Sequence, residues 1–64
     1  MAAKAETDLI DAGFEEHFGT LYKAFVLAYG SAGTSSEQKA AVATFQTHIK
    51  LARSVRDAAK KNLP

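Results

Sequence analysis

The sequence predicts an all-α fold: an antiparallel two-helix hairpin (helix–loop–helix) that dimerises into a four-helix bundle. Three observations carry this expectation. Apolar residues recur at helical spacing on both sides of a single break, YGSAGTSS at residues 29 to 36, where two glycines and several hydroxyl residues interrupt helix-friendly sequence. The chain has 64 residues, so residues 1–64 form one domain, of a size that usually needs a disulfide, a ligand or a partner chain to be comfortably stable. The apolar stripes, finally, are wider than two helices can cover for each other.

The first helix is read from about residue 8 to 29. Thr7 or Asp8 is placed to cap its start, and Gly30 to close its end in the left-handed conformation. Phe14, Phe18, Leu21, Phe25 and Ala28 follow at spacings of four, three, four and three, with Ile10 one turn earlier, which draws a heptad-like stripe. Tyr22, Val26 and Tyr29 widen the stripe, while Leu9 and Leu27 fall on nearly the opposite side. Gly13 and Gly19 each cost about 1 kcal/mol relative to alanine inside a helix. They mark the places for a kink or a late start.

After a loop at about 30–34, the second helix is read over about 35–62. Thr34 followed by Glu37 makes a capping box, in which hydroxyl and carboxylate each satisfy an otherwise unpaired backbone N–H. Ala41, Phe45, His48, Ile49, Ala52, Val55, Ala59 and Leu63 gather on one side, with Val42 broadening the stripe and Leu51 at its edge. Asn62 and Pro64 end the helix.

Folding the chain back at the loop places Phe25 opposite Ala41, Leu21 near Phe45, Phe18 near His48 and Phe14 opposite Ala52. Large residues meet small ones, as dense packing of two antiparallel helices requires. Charge agrees with this pairing. Residues 1 to 37 carry Lys4 and Lys23 against six acids, a net of −4, and residues 38 to 64 carry six bases against Asp57, a net of +5. The acids cluster at the start of the first helix and the bases at the end of the second, where the helix dipoles favour each and where the hairpin makes them neighbours. Arg56 is expected to snorkel or to pair with Asp11.

A lone pair of helices leaves one flank of every core side chain in water. Two hairpins related by a two-fold axis cover that surface, so the dimer or partner interface is assigned to Phe14, Phe18, Leu21, Tyr22, Phe25, Val26, Phe45 and Ile49. Docking on a different protein is the competing arrangement.

Chemistry is sparse. With no cysteine, disulfides, thiolate metal sites and cysteine nucleophiles are all excluded. The longest apolar run, AFVLAY, is far shorter than the roughly 20 residues that cross a bilayer and is not an N-terminal signal segment, so a soluble cytoplasmic protein without membrane association is expected. No phosphate loop, no Ser/His/Asp arrangement and no HExxH spacing is present; Asp8, Asp11, Glu15 and Glu16 suit a helix N-terminus rather than acid–base catalysis. No enzyme activity and no cofactor are expected. His17 and His48 fall at the same level of the hairpin and are the candidate metal ligands. The spacing lacks a third ligand, so they are read as border histidines, with no metal assigned, that can make stability depend on pH near 6.

Lys50, Arg53, Lys60 and Lys61, with Arg56 at the stripe edge, fall on one broad side of the second helix and form a candidate nucleic-acid face. Asp57 and the acidic first helix offset them, and the net charge is only +1. In length and topology the inferred dimer resembles Rop-like RNA-binding helical hairpins, with no motif matched, and likeness of fold alone assigns no function. The reading is a small non-enzymatic helical interaction protein, a regulator or adaptor that self-associates and presents a helical surface to a protein partner. RNA or DNA binding through the basic face is the alternative.

Overall fold

The computed structural model describes residues 5–64, which form two helices, α1 (Glu6–Gly30) and α2 (Ser35–Lys61), packed against each other as a hairpin with no strand among the described residues. Lys4, counted in the charge balance above, lies outside them. The Cα positions span 52 × 23 × 8 Å. That is a slab one helix thick, with two broad faces.

Helix α1 starts two residues earlier than expected, and neither Thr7 nor Asp8 caps it. Ala5 occupies the N-cap position without a side-chain hydrogen bond, and Glu6 and Asp8 in the first turn supply the negative charge that the helix dipole favours. Neither Gly13 nor Gly19 breaks the helix. The expectation for Gly30 is also corrected: it is helical, and no glycine among the described residues has a positive φ. Ser31 ends α1 instead. Its N–H (3.1 Å) and its hydroxyl (2.7 Å) both donate to the Leu27 carbonyl, so a short side chain does the work assigned to the left-handed glycine.

The start of α2 follows the predicted cap. The Glu37 N–H donates to Thr34 Oγ1 at 3.1 Å, and the Glu37 carboxylate turns back to accept from the Thr34 hydroxyl (3.3 Å) and from the Gly33 N–H (3.5 Å), one residue beyond the N-cap amide expected. Lys60 and Lys61 occupy the last turn, and Asn62 closes the helix by donating from Nδ2 to the Ala58 carbonyl at 2.7 Å.

An aromatic row runs between the helices. Phe45 stacks on Phe25 with ring centroids 4.7 Å apart and meets Phe18 edge-on at 6.1 Å; Phe18 in turn meets Phe14 at 6.1 Å. One α2 side chain thus holds two turns of α1, by the offset and edge-on geometries that ring quadrupoles favour. Phe18 was expected near His48. It packs instead beside Phe45 and Ile49, and His48 points to the other side of the hairpin.

Candidate interaction surface

Very little of this hairpin is covered by itself. Among the described residues only Ile49 (6% exposed) and Ala52 (8%) are buried, both on α2, and no residue of α1 is. The accessible surface is 5070 Å² for a chain of 6.8 kDa. A compact monomer of that mass exposes about 4,000 Å². The excess of roughly 1,000 Å² is comparable to the ≈ 800 Å² that each partner contributes to an ordinary protein interface.

The two broad faces differ in chemistry. On one, a groove runs the length of the hairpin in two stretches that meet at Leu21 and His48, the larger holding about 500 Å³. Toward the open end its walls are Ile10, Gly13, His17, Leu51 and Val55; toward the loop they are Ala24, Ala28, Ala40 and Thr44. Leu51 and Val55 stand 62% and 60% exposed. Leucine and valine ribs set among glycine and alanine leave room for another helix to approach closely. Apart from the two histidines, the ionisable groups of this groove are Arg56 near the open end and Glu37 near the loop.

The opposite face is aromatic and basic. Phe18, Phe45, Gln46, Ile49, Lys50 and Arg53 line one stretch, and Tyr29, Gln38, Lys39, Val42 and Gln46 the next. Tyr22 and Val26 follow Phe18 by four and eight residues, which keeps them on this side, and both are exposed. Of the interface residues assigned from sequence, Ile49 is already covered within the hairpin. Phe14, Phe18, Leu21, Phe25 and Phe45 are half-buried, and Tyr22 and Val26 are open. They do not form one patch: Leu21 belongs to the groove, and Phe18, Tyr22 and Val26 to the other face. The assigned interface left out Val55, read as part of the α2 stripe, Leu51, read at its edge, and Ala24 on α1, all of which line the groove.

The basic residues are likewise divided. Lys60 Nζ sits 2.7 Å from Asp11 Oδ1, while Arg56 pairs with its neighbour Asp57 at 3.0 Å and lies 4.6 Å over the centre of the Phe14 ring. The pairing of Arg56 with Asp11 is therefore corrected, and Lys60 takes that place. The direction of helical side chains explains it. Each leans toward its own helix N-terminus, so Lys60 reaches back about a turn while Asp11 leans toward the open end, and they meet; Arg56 leans onto Phe14. Among the described residues no carboxylate lies within ion-pair distance of Lys50, Arg53 or Lys61. The candidate nucleic-acid face thus keeps three unpaired cations, two of them beside Phe18 and Phe45.

Asp8, Glu15 and Glu16 are exposed on α1 and Asp11 is engaged by Lys60. His17 and His48 both line the groove, and no group of three or more His, Asp or Glu among the described residues is placed to hold a metal ion. No helix among them is long and apolar enough to cross a membrane. Comparison with known proteins adds no relative: no protein-family model, no curated protein and no solved structure matches this chain.

Proposed function

We propose that the chain is a non-enzymatic helical interaction protein, a regulator or adaptor, that pairs with a second copy through the groove and presents its aromatic and basic face to a protein partner. The observation that carries this reading is the surplus of exposed surface on a hairpin with two buried residues. Half-exposed leucines and phenylalanines each forgo part of the roughly 1.5–3 kcal/mol that full burial contributes. A second hairpin on the groove recovers it and yields a four-helix bundle whose outer faces stay free. The groove suits self-association better than the other face because it carries fewer charges along its length. A cytoplasmic setting suits a chain without cysteine.

Sedimentation equilibrium tests the reading. A mass of about twice the chain's at micromolar concentration is expected, with a melting temperature that rises as protein is added. A monomer with a concentration-independent melting temperature would overturn it.

Nucleic-acid binding remains the second reading, supported by the unpaired Lys50 and Arg53 beside aromatic rings. Its signature is affinity for a single strand or duplex that falls linearly on a log–log salt plot. The favoured reading expects weak binding even at low salt, indifferent to a double Lys50→Ala/Arg53→Ala substitution. Micromolar affinity at about 0.15 M salt, lost in that variant, would replace the protein-partner reading with this one.

A further inference from the structure

We infer that His17 and His48 make self-association dependent on protonation: two copies of the hairpin bring four imidazoles into one layer at the centre of their shared interface, and acid separates the copies. The inference rests on the proposed pairing through the groove, and it adds the residues that regulate that pairing.

Position along the helices carries the argument. Helix α1 runs Glu6–Gly30 and α2 runs Ser35–Lys61. His48 is the middle residue of α2, and His17 lies one residue from the middle of α1. Both line the same groove, at the level where its two stretches meet. Two hairpins stacked groove to groove are related by a two-fold axis lying in the plane between them. If the axis runs along the helices, every residue meets residues at its own level. If it runs across them, full overlap requires it to pass through the middle, and the middle level again meets itself. Either symmetry places His17 and His48 of both copies in one layer. A single hairpin holds half of that layer.

The apolar setting makes protonation matter. Leu21, Leu51, Ala52 and Val55 surround the two histidines in the groove, so a second copy seated there removes water from the rings. Neutral imidazoles tolerate this by hydrogen bonding to one another. Charged ones face both the loss of hydration and the repulsion of like charges a few ångströms apart. The dimer therefore favours the neutral form and releases protons as it forms. By linkage, association weakens as the imidazoles of this layer take up protons.

Other charged groups facing this layer do not supply the effect. On α1 no further ionisable residue lines the groove, and Glu16, next to His17 in sequence, is exposed outside it. On α2 the groove has Arg56 and Glu37, eight and eleven residues from His48. Arg56 lays its guanidinium over the Phe14 ring, one turn from His17, so its fixed positive charge adds to the repulsion that charged imidazoles meet. The partner copy contributes the same set. Neither an arginine nor an exposed glutamate changes charge between pH 5.5 and 7.5.

The test is the dimer dissociation constant by sedimentation equilibrium at pH 7.5 and 5.5, for the natural chain and for His17→Gln/His48→Gln. Both histidines are exposed in the hairpin, so the double variant keeps its helices. The natural chain is expected to weaken at least tenfold at the lower pH, and the variant by less than about twofold. Heats of dilution at pH 6 in two buffers of different ionisation enthalpy provide a second measurement that needs no variant: dissociation that takes up protons makes the heats differ. A monomer at pH 7.5 overturns the self-association reading itself. A dimer whose dissociation constant is the same at both pH values, a pH response that survives in the variant, or equal heats in the two buffers overturns the role of the histidines alone.

Discussion

The groove face and the aromatic, basic face are built on the same two helices and share Phe45, yet they leave different things at the surface. The groove exposes leucine and valine among alanines, with histidines at its midpoint, Arg56 over Phe14 on one side of them and Glu37 near the loop. The other face exposes Tyr22 and Val26 toward the loop and sets Lys50 and Arg53 beside Phe18 and Phe45. A surface that is apolar along its length is stabilised only by being covered, whereas one that mixes rings with ammonium and guanidinium groups keeps its hydration and still offers contacts. Apolar exposure is not confined to the groove: Leu51 and Val55 stand there, while Leu9, Tyr22, Val26, Leu27 and Tyr29 are exposed elsewhere on α1.

The sharpest way to break this comparison is to remove what both faces share. Phe45→Ala takes away the ring that stacks on Phe25 and meets Phe18 edge-on. Because the ring is half-buried, the substitution is expected to cost roughly 2 kcal/mol, less than the range for a fully buried phenylalanine, and to loosen both faces together. Chemical denaturation read by circular dichroism checks this; a loss under about 1 kcal/mol would mean that the aromatic row does not hold the helices.

A second experiment sets one face against the other. Leu51→Glu on the groove should raise the dimer dissociation constant more than 100-fold, since two copies each forfeit roughly 1.5 kcal/mol or more of leucine burial. Tyr22→Glu on the opposite face should leave it within about threefold. Sedimentation equilibrium at neutral pH separates the two, and the reverse ranking would exchange the roles assigned to the faces.

Glycines sharpen the contrast at smaller magnitude. A methyl group added at Gly13 or Gly19 meets nothing within 4 Å in the hairpin, so either alanine substitution should stabilise the isolated hairpin by up to about 1 kcal/mol. Gly13 lies in the groove and Gly19 outside it. Gly19→Ala should therefore raise the melting temperature at every protein concentration, while the gain from Gly13→Ala should shrink as concentration rises and the new methyl meets the second copy.

The smallest effect belongs to Lys60 and Asp11. Their side chains are 34% and 47% exposed, and solvent-screened pairs of this kind contribute about 0.2–1 kcal/mol. Asp11→Asn should lower stability within that range at low salt and by less at 1 M salt, as denaturation at both ionic strengths will show. A salt-independent loss would point to packing of the lysine stem rather than to the ion pair.

Helix content, the break between the helices, the Thr34–Glu37 cap and the apolar stripes were all determined by the sequence, because each depends on residues within one or two turns of each other. The same local logic failed where several short-range solutions compete: α1 begins at Glu6 with no side-chain cap from Ala5, and Ser31 closes it where glycine was expected. What only the tertiary structure decided is which side of the hairpin each border residue joins. Phe18 and His48 sit at one level, yet Phe45 draws Phe18 to one face and His48 opens on the other. Lys60 rather than Arg56 reaches Asp11. Both outcomes turn on the lean of side chains along their helices and on the rotation of one helix against the other. That rotation is set by the sum of many interhelical contacts, each worth a few tenths of a kcal/mol, and no single spacing in the sequence encodes it.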